Sequence, residues 1–177
     1  MANFNIAIGI TLIFEGGYVS NEIDSGGETY KGVSRNRNQD WSGWKNIDLK
    51  KSENGFPQNL EDDEDLQSKV YSLYKTNYWD KIRGDDIEDQ SIANSIFDFG
   101  VNAGIGTSSK LAQTIVGTTP DGIIGPKSLE EINTIDERLF LCKFALGRTE
   151  RYMSICKNNI KDKLFLFGWI RRTLNFV

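Results

Sequence analysis

Glu15, Asp24 and Thr29 are the residues of this 177-residue chain whose types and spacing best fit a reaction. Glu15 closes an apolar stretch and stands just before Gly16-Gly17. Removal from water and the negative end of a helix dipole both disfavour its charged form, which is the condition a general acid needs. Asp24 lies among Ser and Gly in a turn, where hydration favours the ionised carboxylate, and Thr29 can orient a water between the two acids. Two carboxyl groups in unlike environments can divide acid and base work. Glycosidases use such a pair, with a separation of ~6.5–9.5 Å giving inversion and ~5–5.5 Å giving retention. Spacing alone leaves an alternative open: Glu before a glycine helix stop and Asp-Ser-Gly-Gly in a turn are also ordinary structural features.

The rest of the composition narrows the chemistry. The chain has no His and two Cys, so the usual zinc ligands and the base of a Ser–His–Asp or Cys–His nucleophile are lacking. Carboxylates, with Lys and Tyr as lesser candidates, remain for proton transfer. No metal or organic cofactor is expected. A net charge of −4 argues against a nucleic-acid partner. The charge is uneven, because residues 1–136 hold 12 Lys/Arg against 22 Asp/Glu while residues 137–177 hold 9 against 3. The basic set, which includes Arg148 and Arg172, reads first as a solvated helix face and second as a surface for an anionic polymer. Cys142 and Cys156, fourteen apart in one helical stretch, read as small buried hydrophobes that cannot form a bridge. No stretch is long enough to form an integral membrane segment, and the apolar N-terminus lacks the basic start and small-residue cleavage site of a signal peptide.

These residues need helices to carry them. The spacing predicts a buried helix from about Asn3 or Asn5 to Phe14 or Glu15, apolar nearly all round. A Gly-rich turn or small hairpin follows over residues 18–35, then a long polar connection over 36–59 that holds one short helical turn. Further helices are expected after the acidic run Glu61–Asp65, which caps rather than binds calcium, over Ser91–Val101, over Lys110–Val116, after Pro126, from about Asp136 into the 150s, and over Phe165–Leu174. Asp98 and Asn102, four apart, share a helix face. They are placed either to meet the N-acetyl or hydroxyl groups of a sugar or to cap a helix end. Tyr18 and Tyr30 flank the acid and the turn, where a ring can stack on a sugar. The class is mainly α with a small β element near residues 18–34.

Several segments together resemble one family. Glu15-Gly16-Gly17-Tyr18-Val19, Asp24-Ser25-Gly26-Gly27-Glu28-Thr29 and Tyr30-Lys31-Gly32-Val33-Ser34 resemble the N-terminal signature of the glycoside hydrolase family 108 muramidases, some of which are labelled secretion activators. Tyr78-Trp79-Asp80, Phe97 to Gly104 and Phe167 to Arg172 continue the resemblance, and Asp121 to Pro126 resembles the family's peptidoglycan-binding-like C-terminal region. The order Glu, eight residues, Asp, four residues, Thr also resembles the catalytic set of bacteriophage-type lysozymes, which usually have one more residue between Asp and Thr. The resemblance implies a lysozyme-like α+β domain spanning 1–177, with a catalytic part over 1–90 and a peptidoglycan-binding-like helical part over about 91–177. It implies cleavage of the β-1,4 bond between N-acetylmuramic acid and N-acetylglucosamine, with Glu15 as the acid. The rivals are a lytic transglycosylase using Glu15 alone and a non-catalytic wall-binding or secretion-assisting protein. The implied partners are peptidoglycan glycan strands and, for a prophage endolysin made in the cytoplasm without a signal peptide and acting on the wall after release, a holin-like export partner.

Overall fold

The computed structural model describes residues 1–20 and 27–177. Its described residues form eight α-helices and one small antiparallel sheet, so the mainly α expectation holds. The chain divides into two compact units: Met1–Ala7 with Asn77–Val177, and Ile8–Thr76. Helix α1 (Phe4–Glu15) begins in the first and ends in the second.

Asn3 starts α1 by accepting the Asn5 N–H at 2.8 Å. Gly16, at φ +69°, ends it in the left-handed conformation that commonly stops helices. The expectation that α1 is buried all round is corrected. Ala7, Ile8 and Thr11 are buried on one side, whereas Ile13 is 77% exposed and Ile6 also faces water.

In the unit Ile8–Thr76, β1 (Tyr18–Val19) pairs with β2 (Thr29–Tyr30), which pairs with β3 (Val33–Ser34). The register sets Tyr18 opposite Tyr30 and Tyr30 opposite Val33. Lys31 and Gly32 join β2 to β3 with φ of 42° and 76°, the two positive values a tight two-residue hairpin requires. The polar segment expected to be a connection contains α2 (Gly43–Lys50), which buries Trp44 and Ile47. These two apolar side chains give that short helix its inner face. Helix α3 (Glu64–Tyr74) is capped by Asp63, whose carboxylate accepts the Leu66 N–H at 2.9 Å. The acidic run therefore works as a cap. Leu66, Val70 and Tyr74, at four-residue spacing, form its buried stripe.

In the other unit, α4 (Gln90–Ala103) is buried continuously from Ile92 to Gly100. Asp89 caps it through the Ile92 N–H at 2.8 Å, and Gly104 at φ +91° closes it. Helix α5 (Ile105–Ile115) restarts at once, five residues earlier than the periodicity predicts. The Ser108 hydroxyl ties it to α4 by donating to the Ile96 carbonyl at 2.6 Å. Helix α6 (Pro126–Thr134) begins on its proline as expected, and Asp136 caps α7 (Glu137–Asn158) through the Leu139 N–H. Helix α8 (Lys163–Leu174) follows, with Trp169 stacked on Tyr152 of α7 at 5.0 Å between ring centres. Phe4, Trp79 and Phe97 form an aromatic cluster, each pair within 5.9 Å. Cys156 is buried and unbridged as expected, but Cys142 lies on the exposed side of α7.

Candidate active site

The Gly16 stop fixes Glu15 as the last residue of α1, half-buried, with its Oε1 shielded from solvent. The β2–β3 turn comes up against this carboxylate. A Cβ added at Gly32 would stand 2.6 Å from Glu15 Oε2 and 2.6 Å from the Tyr74 hydroxyl. Glycine is thus required at position 32 twice over, by its positive φ and by the approach of these two oxygens.

Tyr74, in the last turn of α3, holds the turn from below. It is buried and its hydroxyl donates to the Lys31 carbonyl at 2.7 Å. The Lys31 ammonium reaches Glu61 and Gln67, each at 2.7 Å. It is therefore committed to anchoring the hairpin and is a poor candidate for a base. Tyr30, 1% exposed, accepts from Gln67 Nε2 at 2.9 Å, and its hydroxyl lies 3.3 Å from both the Leu60 carbonyl and Glu61. Burial pushes its pKa up to about 12. The expectation that Tyr30 stacks on a sugar gives way to a core role, because the register turns it inward with Val33.

Thr29 is half-buried on β2, its hydroxyl 3.4 Å from the Gly27 carbonyl. It pairs with Val19 on β1 and Ser34 on β3, in the same sheet whose β2–β3 turn meets Glu15. Asp24 lies outside the described residues. Tyr18 keeps a partly open ring, edge-on to Phe56 at 4.7 Å between centres. Burial and a hydrogen bond to Glu28 raise its pKa.

Glu28 was not foreseen as important, yet its carboxylate is taken by Arg35 Nε and Lys51 Nζ, each at 2.7 Å. Both cations also reach Asp48, which Arg35 holds below the usual carboxylate range. Arg35 in addition covers the Trp44 ring at 4.5 Å. This network pins β2 and β3 to α2 and so supports the strands beside Glu15. Nothing in the sequence around Tyr74 singled it out as the partner of the hairpin turn. The hairpin signal of a residue followed by Gly, between Tyr30 and Val33, was the available hint for Gly32.

Asp98 and Asn102 lie in the other unit. Asp98 has no accessible surface; one oxygen accepts from Arg148 at 2.8 Å and the other from Arg172 at 2.8 Å. Neither a sugar contact nor a helix cap describes it, since it is the buried counter-ion that ties α7 and α8 to α4. Arg148 and Arg172 accordingly leave the surface basic set. The Asn102 side-chain Oδ1 accepts from the Tyr152 hydroxyl at 2.8 Å, and Asn102 stays half-exposed. Among the described residues, no group of three or more His, Cys, Asp and Glu side chains is placed to hold a metal ion.

Residues 8–104, more than half of the chain, match the family model described as glycosyl hydrolase 108. The chain belongs to the glycosyl hydrolase 108 family. Glu15, Thr29, Gly32 and Tyr74 all fall within the family region. Residues 107–174 match a second model, described as a predicted peptidoglycan domain, which covers α5 through α8. Among solved structures, SagA of Brucella abortus is similar at 24% identity, over 98% of this chain and 90% of that one, with a TM-score of 0.70. That likeness establishes a shared fold. No curated protein matches the chain.

Proposed function

We propose that this family 108 chain is an N-acetylmuramidase that hydrolyses the β-1,4 bond between N-acetylmuramic acid and N-acetylglucosamine in peptidoglycan. The observation that carries the reading is Glu15, a carboxylate at a helix end against the β2–β3 turn, inside the family region. In this reading Glu15 protonates the leaving glycosidic oxygen as the bond breaks, and the sugar ring takes on positive charge. Asp24 then activates water or steadies that charge, with Thr29 orienting the water. Tyr18 is proposed as a sugar contact, and Tyr30 and Asp98 are left to the core. The peptidoglycan domain match over 107–174 supports glycan strands as the substrate. We further propose that the protein acts on the cell wall after release.

Mass spectrometry of the products from purified sacculi tests this reading. Reducing-end N-acetylmuramic acid is expected. Anhydro-muramic ends would instead identify a transglycosylase, in which the sugar's own 6-hydroxyl replaces water, and the absence of any soluble product would leave a wall-binding protein.

A further inference from the structure

Helix α7 has two apolar faces. Phe140, Phe144, Tyr152 and Cys156 are buried among the helices of their unit, while Leu139, Cys142, Leu146 and Met153 repeat at three- and four-residue steps along the solvent side. Helix α8 packs beside α7 and repeats the pattern with Leu164, Phe167 and Leu174. Leu164 is 85% exposed, Phe167 80% and Leu146 65%. A groove of about 370 Å³ runs between the two helices, lined by Cys142, Leu146, Thr149, Ile170 and Leu174 among others, so the rows meet along it at Cys142, Leu146 and Leu174, with Phe167 one turn before Ile170 on α8. A contiguous apolar face of this kind marks an interaction site on a water-soluble surface.

Its borders are cationic. With Arg148 and Arg172 buried on Asp98, seven outward Lys/Arg remain in residues 137–177 against Glu137, Glu150 and Asp162. Helical spacing sets Lys143 beside Leu139 and Leu146, Lys157 beside Met153, Lys163 beside Phe167, and Arg171 beside Phe167 and Leu174, four cations against one acid, Glu150, beside Leu146 and Met153. We propose that this face is a peripheral docking surface for an anionic lipid bilayer, with the cations on the headgroups and the Leu and Phe side chains at the acyl boundary. A glycan strand offers little to bare Leu164 and Phe167. A second copy meeting the same face would bring two cationic borders together. No helix among the described residues is long and apolar enough to cross a membrane, so the contact lies in the plane of the surface. The proposal does not depend on Glu15 being catalytic.

Co-sedimentation of the full chain with vesicles tests it, using phosphatidylglycerol mixed with phosphatidylethanolamine beside pure phosphatidylcholine. Binding is expected only with the anionic vesicles, weakening as salt is added. Lys143→Gln and Arg171→Gln should each lower the partition coefficient roughly fivefold. Leu164→Ser with Phe167→Ser should abolish binding, and because both sites are exposed the melting curve should be unchanged. The proposal is overturned if the anionic vesicles bind no protein, or if all these variants bind as the parent does. It is equally overturned if sedimentation velocity shows a dimer that Phe167→Ser dissolves, or if the same residues govern retention on sacculi while vesicles bind nothing.

Discussion

Replacing Gly32 with alanine separates the stability of the hairpin from the placement of Glu15. The new Cβ would lie 2.6 Å from both Glu15 Oε2 and the Tyr74 hydroxyl, against an ordinary approach of about 3.5 Å, so each oxygen must be displaced by roughly 0.9 Å relative to the turn. Tyr74 is buried and bonded to the Lys31 carbonyl. Glu15 Oε2 lies at the far end of a longer, half-buried side chain and shifts more readily than the Tyr74 ring. Misplacement of a catalytic group by about an ångström costs on the order of a hundredfold in rate. The backbone strain of a Cβ at positive φ adds about 1–2 kcal/mol, a fall in Tm of roughly 2–8 °C for a chain of this size. Gly55→Ala supplies the control. Its φ is +88° and the nearest atom to its added Cβ is 4.0 Å away, so it meets the same strain with no collision. Thermal melting should therefore show a shift in Gly32→Ala at least as large as that in Gly55→Ala, and turbidity loss of sacculi, measured well below both melting points, should show the large rate loss only in Gly32→Ala. Equal activity of the two folded variants would refute the reasoning.

Two further outcomes follow from the core. Because Tyr30 has its pKa raised to about 12 by burial, the fold favours its neutral form. That contribution is fully present below the unfolded value of about 10 and is lost as pH rises through about 12, so denaturant midpoints should fall across that window and Tyr30→Phe should flatten the fall. A parent protein whose midpoint is level over the same range would contradict this. Asp98→Asn leaves two buried guanidinium groups without their carboxylate, which costs about 3–5 kcal/mol. Calorimetry should show a Tm lower by roughly 6–20 °C, and a change of less than about 2 °C would mean that the triad carries no such weight.

The sequence made legible what depends on neighbours along the chain. Asn3 and the Gly16 stop bound α1, Asp63 and Asp136 cap their helices as the local chemistry predicts, and Pro126 opens α6. The misreadings share a cause, which is distance. Asp98 finds its partners 50 and 74 residues away, so nothing near it distinguished a buried counter-ion from a sugar contact. Tyr30 depends on Leu60, Glu61 and Gln67, thirty or more residues on. Tyr74 gains its importance only because a hairpin 43 residues earlier folds against it. Burial was over-read in α1 and at Cys142, where apolar character alone does not say which face is covered. Glu15 itself was readable through the ordered motifs around it, whereas the oxygens crowding Gly32 were not.

The central claim is that Glu15 supplies the proton for glycosidic cleavage. Glu15→Gln keeps the size of the side chain and removes the transferable proton, so it tests that claim with least disturbance to the hairpin. Muropeptide release from purified sacculi should fall to background in this variant while its circular dichroism and melting curve match the parent. Release at the parental rate by a folded Glu15→Gln protein would contradict the account.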